Sequence, residues 1–107
     1  MREWRGLMAQ EGAMGEDARV ERGFQVHGRV QGVGFRWWTV ERAREAGVTG
    51  WVWNRPDGSV EVQVAGDEDA VEGFGRQLRE GPPAARVTRV EEVRAREPAR
   101  ETGFRVR

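Results

Sequence analysis

The chain has 107 residues, which is room for one domain and not for two. It contains no cysteine and a single histidine, His27, so cysteine nucleophiles, zinc–thiolate sites, iron–sulfur clusters and sites built from several histidines are excluded. Eighteen basic residues balance eighteen acidic ones, and this zero net charge argues against a nucleic-acid partner. No apolar run approaches the ~20 residues that span a bilayer. We therefore expect a cytoplasmic monomer with no membrane partner.

The N-terminal residues 1–20 are rich in Gly, Glu and Arg and show no sustained periodicity. We predict that they form a flexible extension ahead of one domain over residues 21–107. The domain opens with apolar and polar residues alternating over 24–30, the pattern of a half-buried strand. Residues 31–34, Gln-Gly-Val-Gly, then predict a turn.

A helix is predicted next, because apolar and small residues recur on one face from Phe35 onwards. Gly47 follows that pattern at the position where glycine commonly ends a helix. Residues 48–54 predict a second strand, rich in β-branched and aromatic side chains. Arg-Pro-Asp-Gly at 55–58 predicts a turn, since proline fixes φ and glycine accepts a positive φ.

The second half of the chain repeats the helix and strand signals. Valines alternate with polar residues over 60–64, which predicts a hairpin with the preceding strand. Asp67 is predicted to cap a second helix that buries Ala70, Val71, Phe74 and Leu78 and ends at Gly81.

Two further strands are predicted at the C-terminal end. In the first, over residues 86–94, the valines are three apart, a spacing that a β-bulge would reconcile. The second covers residues 102–107. The order βαββαβ predicts an α+β fold of the ferredoxin-like type, an antiparallel sheet with two helices on one face. Because this fold supports many functions, function must be argued from the site.

The segment His27–Arg36 runs from the end of a strand through a tight turn into a helix. Amides at a helix N-terminus lack intrahelical partners, and together with the helix dipole they favour a bound anion such as phosphate. Gly32 and Gly34 permit close approach of the backbone, and Arg36 can offer a planar fork to two phosphate oxygens. The alternative is an ordinary strand–turn–helix connection with a solvated arginine.

Two sequence blocks carry a family resemblance. Gly-Arg-Val-Gln-Gly-Val-Gly-Phe-Arg at 28–36 resembles the signature of the acylphosphatase family. Residues 50–61 are similar to the segment G-x-V-x-N-x-x-D-G-x-V-E of the same family, and the closing G-F-x-V also matches. The resemblance covers residues 22–107. The tryptophan pair at 37 and 38 and the long leader are less usual in the family.

The resemblance implies an enzyme that hydrolyses acyl phosphates to a carboxylate and inorganic phosphate, without a metal ion, another cofactor or a phosphoenzyme. Arg36 would bind the phosphoryl group and stabilise the charge that develops on it, and Asn54 would orient the attacking water. The resemblance also implies a cradle of backbone amides around the phosphoryl oxygens, formed by Gln31, Gly32, Val33, Gly34, Phe35 and Arg36.

Asn54 has a second interpretation, as a turn residue ahead of Pro56-Asp57-Gly58, because asparagine favours turns. It is the only asparagine in the chain, and aspartate or glycine would serve a turn equally. We favour the catalytic role, mainly because the family resemblance implies it.

Other conspicuous side chains are expected to be structural. His27 lies on the strand face opposite Phe24 and Val26, and is expected to be packed or exposed and not a base. Asp57 and Glu61 flank the predicted hairpin and need not be catalytic. The charges of residues 94–100 alternate in sign and predict a solvated face. The tryptophans Trp37, Trp38, Trp51 and Trp53 are expected in the core or in a pocket wall.

Two other functions remain as alternatives. The string from Gly34 to Trp38 faintly resembles an RNA-recognition motif, but that motif lies on a strand and this string enters a predicted helix. Acylphosphatase-like domains also begin the large hydrogenase-maturation carbamoyltransferases, which continue through zinc-binding segments. A domain that bound a carboxyl-phosphate ligand without turnover would be a sensing module.

Overall fold

The computed structural model describes residues 19–107. The first strand begins at Arg19, two residues ahead of the predicted domain boundary at 21, and Arg19 pairs with Asp67. The rest of the predicted extension lies outside the described residues.

The described elements follow the predicted order, with one short helix added. They are β1 (Arg19–Arg29), α1 (Phe35–Ala46), β2 (Thr49–Asn54), β3 (Val60–Asp67), α2 (Glu68–Glu80), β4 (Arg86–Val93), a 3-10 helix (Pro98–Arg100) and β5 (Phe104–Val106). Neither α-helix within these bounds combines the length and apolar character needed to cross a membrane.

The strands form one five-stranded sheet in the order β4-β1-β3-β2-β5. Three of its four pairings are antiparallel, but β5 runs parallel to β2. The sheet is therefore mixed: the four strands of the predicted βαββαβ order are antiparallel, as expected, and only the further C-terminal strand β5 is parallel to its neighbour. After β4 the chain reverses and crosses to the opposite edge of the sheet, so β5 has the direction of β2. The ferredoxin-like α+β architecture is confirmed.

The core lies between the helices and one face of the sheet. In β3, Val60, Val62 and Val64 are all fully buried. Their period of two carries them to one face, as the alternation predicted. The helices cover that face with Phe35, Val40, Ala43, Val71, Phe74 and Leu78.

Both ends of α1 are formed by glycines with left-handed backbone. Gly34 precedes the helix at φ 80°, and Gly47 ends it at φ 74° with its amide bonded to the last turn. Helix α2 starts after Asp67 as predicted, but the Asp67 side chain makes no capping hydrogen bond. The start of the helix was therefore predicted correctly, but the predicted cause, a capping hydrogen bond from the Asp67 side chain, was wrong.

The predicted bulge occurs where β4 pairs with β1. His27 is opposite Arg89, whereas Gly28 is opposite Val87, so Thr88 is an extra residue on β4. Gly28 has φ 126°, and a Cβ there would lie 2.1 Å from the carbonyl oxygen of Arg86. The end of β1, from which the glycine turn departs, therefore requires a glycine.

Candidate functional site

The glycine turn after β1 and the end of β2 line one cleft of about 250 Å³. Among the predicted site residues, those that line this cleft are Gly32, Gly34, Phe35, Arg36 and Asn54. The two signature blocks, separate in the sequence, therefore meet at one place. Gln31 and Val33 belong to the same turn but do not line the cleft.

The turn adopts its shape because of its glycines. Gly32 has φ 75° and Gly34 has φ 80°, values that other residues rarely adopt. A Cβ at either position would meet nothing within 4 Å, so backbone conformation and not space requires glycine.

The amides at the start of α1 are available to a ligand. The first backbone bond of the helix runs from the amide of Trp38 to the carbonyl of Gly34, at 3.0 Å. Within the described part of the chain, no backbone or side-chain acceptor engages the amides of residues 35–37. These N–H groups and the positive end of the helix dipole suit an anion.

Arg36 lies in the first turn of α1, lines the cleft and is exposed. No carboxylate of residues 19–107 forms an ion pair with its guanidinium, in contrast to Arg55 and Arg96. Because its five N–H donors are not engaged by a carboxylate, they can bind a phosphoryl group in the cleft.

Asn54 is the last residue of β2 and pairs with Val60 of β3. Its side-chain oxygen Oδ1 is shielded from bulk solvent and has no hydrogen-bond partner among the residues described. Buried polar atoms are normally paired. An unpaired carbonyl oxygen at the edge of the cleft is suited to accept a hydrogen bond from a water molecule.

The side chain of Gln31 joins the two segments of the site. Its Nε2 donates to the carbonyl of Arg55 at 2.7 Å and to the carbonyl of Ser59 at 2.9 Å. Both acceptors belong to the β2–β3 turn, directly after Asn54. The sequence pattern did not indicate this contact, because the partners are 24 and 28 residues away.

Asp57 stabilises that same turn. Its Oδ1 accepts hydrogen bonds from the amide of Ser59 at 2.9 Å and from the Ser59 hydroxyl at 2.6 Å. These bonds, with a smaller contribution from the positive charge of Arg55, hold the pKa of Asp57 below its ordinary value. Asp57 does not line the cleft, which agrees with a structural role.

The face of the sheet that the helices do not cover carries the other polar side chains that the sequence analysis singled out. Glu61 is 3% exposed and accepts from Arg55 Nη1 at 2.9 Å, while Arg96 Nε lies 3.1 Å from its second oxygen. Arg96 also stacks over Trp51, at 5.3 Å from the ring centre. Arg96 is exposed, as expected for a solvated face, but it also pairs with the buried Glu61, because this segment crosses the sheet.

His27 lies on the same face and away from the cleft. Its Nε2 is 2.8 Å from Glu91 Oε1, and hydrogen bonds from His27 and Arg89 hold the pKa of Glu91 below its ordinary value. His27 is partly buried and hydrogen-bonded to Glu91, which agrees with the predicted packed or exposed histidine and does not suit a catalytic base.

Three residues of the cleft wall were not among the predicted site residues, and the first of them is Val30, directly after β1. Trp37 follows Arg36 in α1, and Val106 belongs to β5. Trp37 had been expected in a core or a pocket wall, and it lies in the wall. Val106 is the valine of the closing G-F-x-V match, but its place in the cleft was not predicted, because only the parallel docking of β5 on β2 brings it there.

No group of three or more His, Asp and Glu side chains that could hold a metal ion occurs in the described part of the chain.

Comparison with known proteins points to one family. The family model described as Acylphosphatase matches residues 22–106. An acylphosphatase of Thermococcus kodakarensis is 51% identical over 88 residues, which are 82% of this chain and 96% of that protein. One from Acidiphilium cryptum is 57% identical over 77 residues, 72% of this chain and 84% of that protein.

Solved structures agree with these matches. The structure of an acylphosphatase from Coxiella burnetii has a TM-score of 0.75 and 37% identity, covering 86% of this chain and 96% of that one. The structure of acylphosphatase from Bacillus subtilis has a TM-score of 0.74 and 35% identity, and the match covers 80% of this chain and 96% of that one. The structure of HypF from T. kodakarensis has a TM-score of 0.71 and 32% identity, and the match covers 80% of this chain but only 11% of HypF.

Proposed function

The chain belongs to the acylphosphatase family, whose members hydrolyse acyl phosphates to a carboxylate and inorganic phosphate, and we propose that Arg36 and Asn54 are its catalytic residues. The single observation that carries this proposal is that the glycine turn, Arg36 and Asn54 line one cleft. The protein is accordingly a hydrolase that acts on small acyl phosphates.

The phosphoryl group is bound by the turn and the start of α1. In this proposal its oxygens are bound by backbone amides of residues 31–36, and the helix dipole favours its negative charge. Arg36 supplies a planar, permanently charged fork to two of these oxygens. Among residues 19–107, the amides of residues 35–37 have no backbone partner and the Arg36 guanidinium has no carboxylate partner, which supports this assignment.

Asn54 orients the nucleophile. A water molecule donates a hydrogen bond to Oδ1 of Asn54 and is held in line with the bond between phosphorus and the acyl oxygen. The water oxygen then bonds to phosphorus while that bond breaks and its electron pair leaves with the carboxylate. The proton of the water passes to the phosphate or to solvent.

The leaving group explains why so few side chains are needed. A carboxylate is a weak base and leaves without a general acid, so catalysis consists of positioning and of stabilising charge on the phosphoryl oxygens. We propose that no metal ion, other cofactor or phosphoenzyme takes part. Activity should then survive EDTA, and a loss restored only by a divalent cation would contradict this mechanism.

The same proposal places the enzyme in the cytoplasm as a monomer, without membrane or nucleic-acid partners. The absence of cysteine from the chain is compatible with a reducing compartment. The exposed large hydrophobic side chains within the described range are only Trp37 and Val106, both in the cleft. Light scattering on a sizing column would test the monomer.

The decisive experiment measures hydrolysis of benzoyl phosphate in EDTA by the wild type and by Arg36→Ala and Asn54→Ala. We expect each variant to lose on the order of 10²–10³ in kcat, by analogy with the loss of one preorganised hydrogen-bonding group from an active site. Arg44→Ala is the matched control, since Arg44 is exposed in the same helix and does not line the cleft.

Circular dichroism and thermal unfolding establish that each variant is folded. Full activity in folded Arg36→Ala or Asn54→Ala would remove that residue from the mechanism. A folded wild type that binds phosphate but hydrolyses no acyl phosphate would indicate a sensing module.

A further inference from the structure

Trp37 is an exposed aromatic side chain at the active-site cleft. It is 60% exposed, whereas the adjacent Trp38 packs on Phe35 with ring centres 5.4 Å apart. Consecutive residues of a helix are about 100° apart around its axis, so one tryptophan joins the core and the other points outward. Core packing therefore accounts for Trp38 and not for Trp37.

The second exposed large hydrophobic side chain of residues 19–107 is Val106, at 38%. Isolated apolar side chains on a surface need no explanation. These two are not isolated, because both line the cleft that contains Arg36 and Asn54, although α1 and β5 are distant in the sequence. The exposed apolar surface is thus concentrated beside the catalytic groups.

The charges of the cleft restrict what this surface can bind. Arg36 is the single charged side chain among the described residues that line it, and Asn54 is the other polar one apart from backbone groups. Both are assigned to the phosphoryl group and the water. A polar or charged acyl group would therefore lose water without gaining a partner, which is unfavourable.

We propose that Trp37 and Val106 form an acyl-binding subsite, which makes the enzyme selective for acyl phosphates whose acyl group is apolar or aromatic. This inference rests on the proposed function. With phosphate in the cradle, the acyl group is one bridging oxygen away and must lie against the remaining wall of the same cleft. At about 250 Å³, the cleft is smaller than the ~300–1,000 Å³ of pockets that enclose drug-sized ligands, which suits a small acyl group.

The test compares kcat/KM for benzoyl phosphate and acetyl phosphate in the wild type, Trp37→Ala and Trp37→Phe. We expect Trp37→Ala to lower the benzoyl-to-acetyl ratio about tenfold, which corresponds to ~1.4 kcal/mol, mainly through the KM for benzoyl phosphate. Trp37→Phe should restore most of the ratio, because it keeps an aromatic face.

The control is Glu41→Ala, one helical turn further along α1, where the side chain is exposed and outside the cleft lining. It should leave the ratio at the wild-type value. A ratio in Trp37→Ala within about twofold of wild type would overturn the subsite, and so would equal losses on both substrates.

Binding of non-hydrolysable analogues separates this inference from the proposed function. Calorimetry would compare benzoylmethylphosphonate with acetonylphosphonate, which contain the same phosphonate and differ in the acyl group. If the wild type turns over neither substrate, the proposed activity fails. A preference for the benzoyl analogue that Trp37→Ala abolishes would still establish the subsite, and equal affinities in the wild type would refute it.

Discussion

The side-chain amide of Gln31 donates a hydrogen bond to the backbone carbonyl of Arg55 at 2.7 Å. This contact fixes the glycine turn after β1 against the turn that follows Asn54, and a second bond from the same nitrogen to the carbonyl of Ser59 reinforces it. The side chain of Gln31 thus ties the proposed phosphate cradle to the segment that holds the proposed water-orienting residue. Since small misplacements of reacting groups are costly, we expect Gln31 to act as a positioning residue.

Replacing Gln31 by alanine should therefore affect rate more than stability. Two lost hydrogen bonds cost about 1–3 kcal/mol of unfolding free energy, while the loosened turn should lower kcat about tenfold or more. The KM for benzoyl phosphate should change less, because the amides and Arg36 remain. Gln77→Ala, an exposed glutamine in α2, is the control. A wild-type kcat in folded Gln31→Ala would exclude the positioning role.

A second prediction follows from the left-handed backbone conformation of Gly34. Alanine at φ 80° is strained by about 1–2 kcal/mol, although its Cβ would meet no neighbour. We expect Gly34→Ala to unfold at a lower temperature and to bind phosphate more weakly, since relief of strain would turn the amides away. Gly103→Ala is the matched control, because Gly103 also has open space and no positive φ. Equal unfolding temperatures would show that the turn tolerates side chains.

Inorganic phosphate should inhibit competitively. It has the shape and charge that the cradle recognises, so it should raise the apparent KM for benzoyl phosphate and leave kcat unchanged. Arg36→Ala should weaken phosphate binding measured by calorimetry, because a charge-assisted hydrogen bond contributes about 1.5–3 kcal/mol. An apparent KM that does not respond to phosphate would place the binding site elsewhere.

Asp57 should make stability depend on pH in the acidic range. The hydrogen bonds from Ser59 lower its pKa below the ordinary value of 3.8, so the folded state favours the ionised carboxylate. The contribution of Asp57 to the free energy of unfolding is therefore fully present above the pKa that this carboxyl has in the unfolded chain. It is lost as pH falls through the lower pKa of the folded state.

The measurement is thermal unfolding of the wild type and Asp57→Ala at several pH values. The difference in unfolding temperature should be largest near neutral pH and should shrink below about pH 4. Ser59→Ala removes the hydroxyl bond and should reduce the same pH dependence. A difference that stays constant down to about pH 2 would show that the Asp57 contribution is not ionic.

Most of the fold could be predicted because local signals determine it. The valine alternation in β3, the glycine at position 47 and the bulge spacing of β4 all have physical causes within a few residues. The sequence also indicated the positions of Arg36 and Asn54, because each lies at an end of an element. Their meeting in one cleft follows from the ferredoxin-like order of strands and helices.

The remaining features depend on contacts between distant segments. The direction of β5, and with it the position of Val106, is set by how the chain crosses the sheet. The same crossing brings Arg96 to the buried Glu61, which an alternating charge pattern could not reveal. The tether from Gln31 is likewise invisible in the sequence, since a glutamine in a turn has no local signal for a partner 24 residues away.

The extra residue Thr88 in β4 also affects how the molecules behave toward one another. Among residues 19–107, β4 is an outer strand of the sheet, and its unpaired side could otherwise serve as a template for a strand of a second molecule. The bulge interrupts its regular ladder, and Arg86, Arg89, Glu91 and Glu92 place charges along it. At the opposite edge, β5 has only three residues. Both edges are thus poor starting points for intermolecular β-sheet, which protects the protein from aggregation at high concentration.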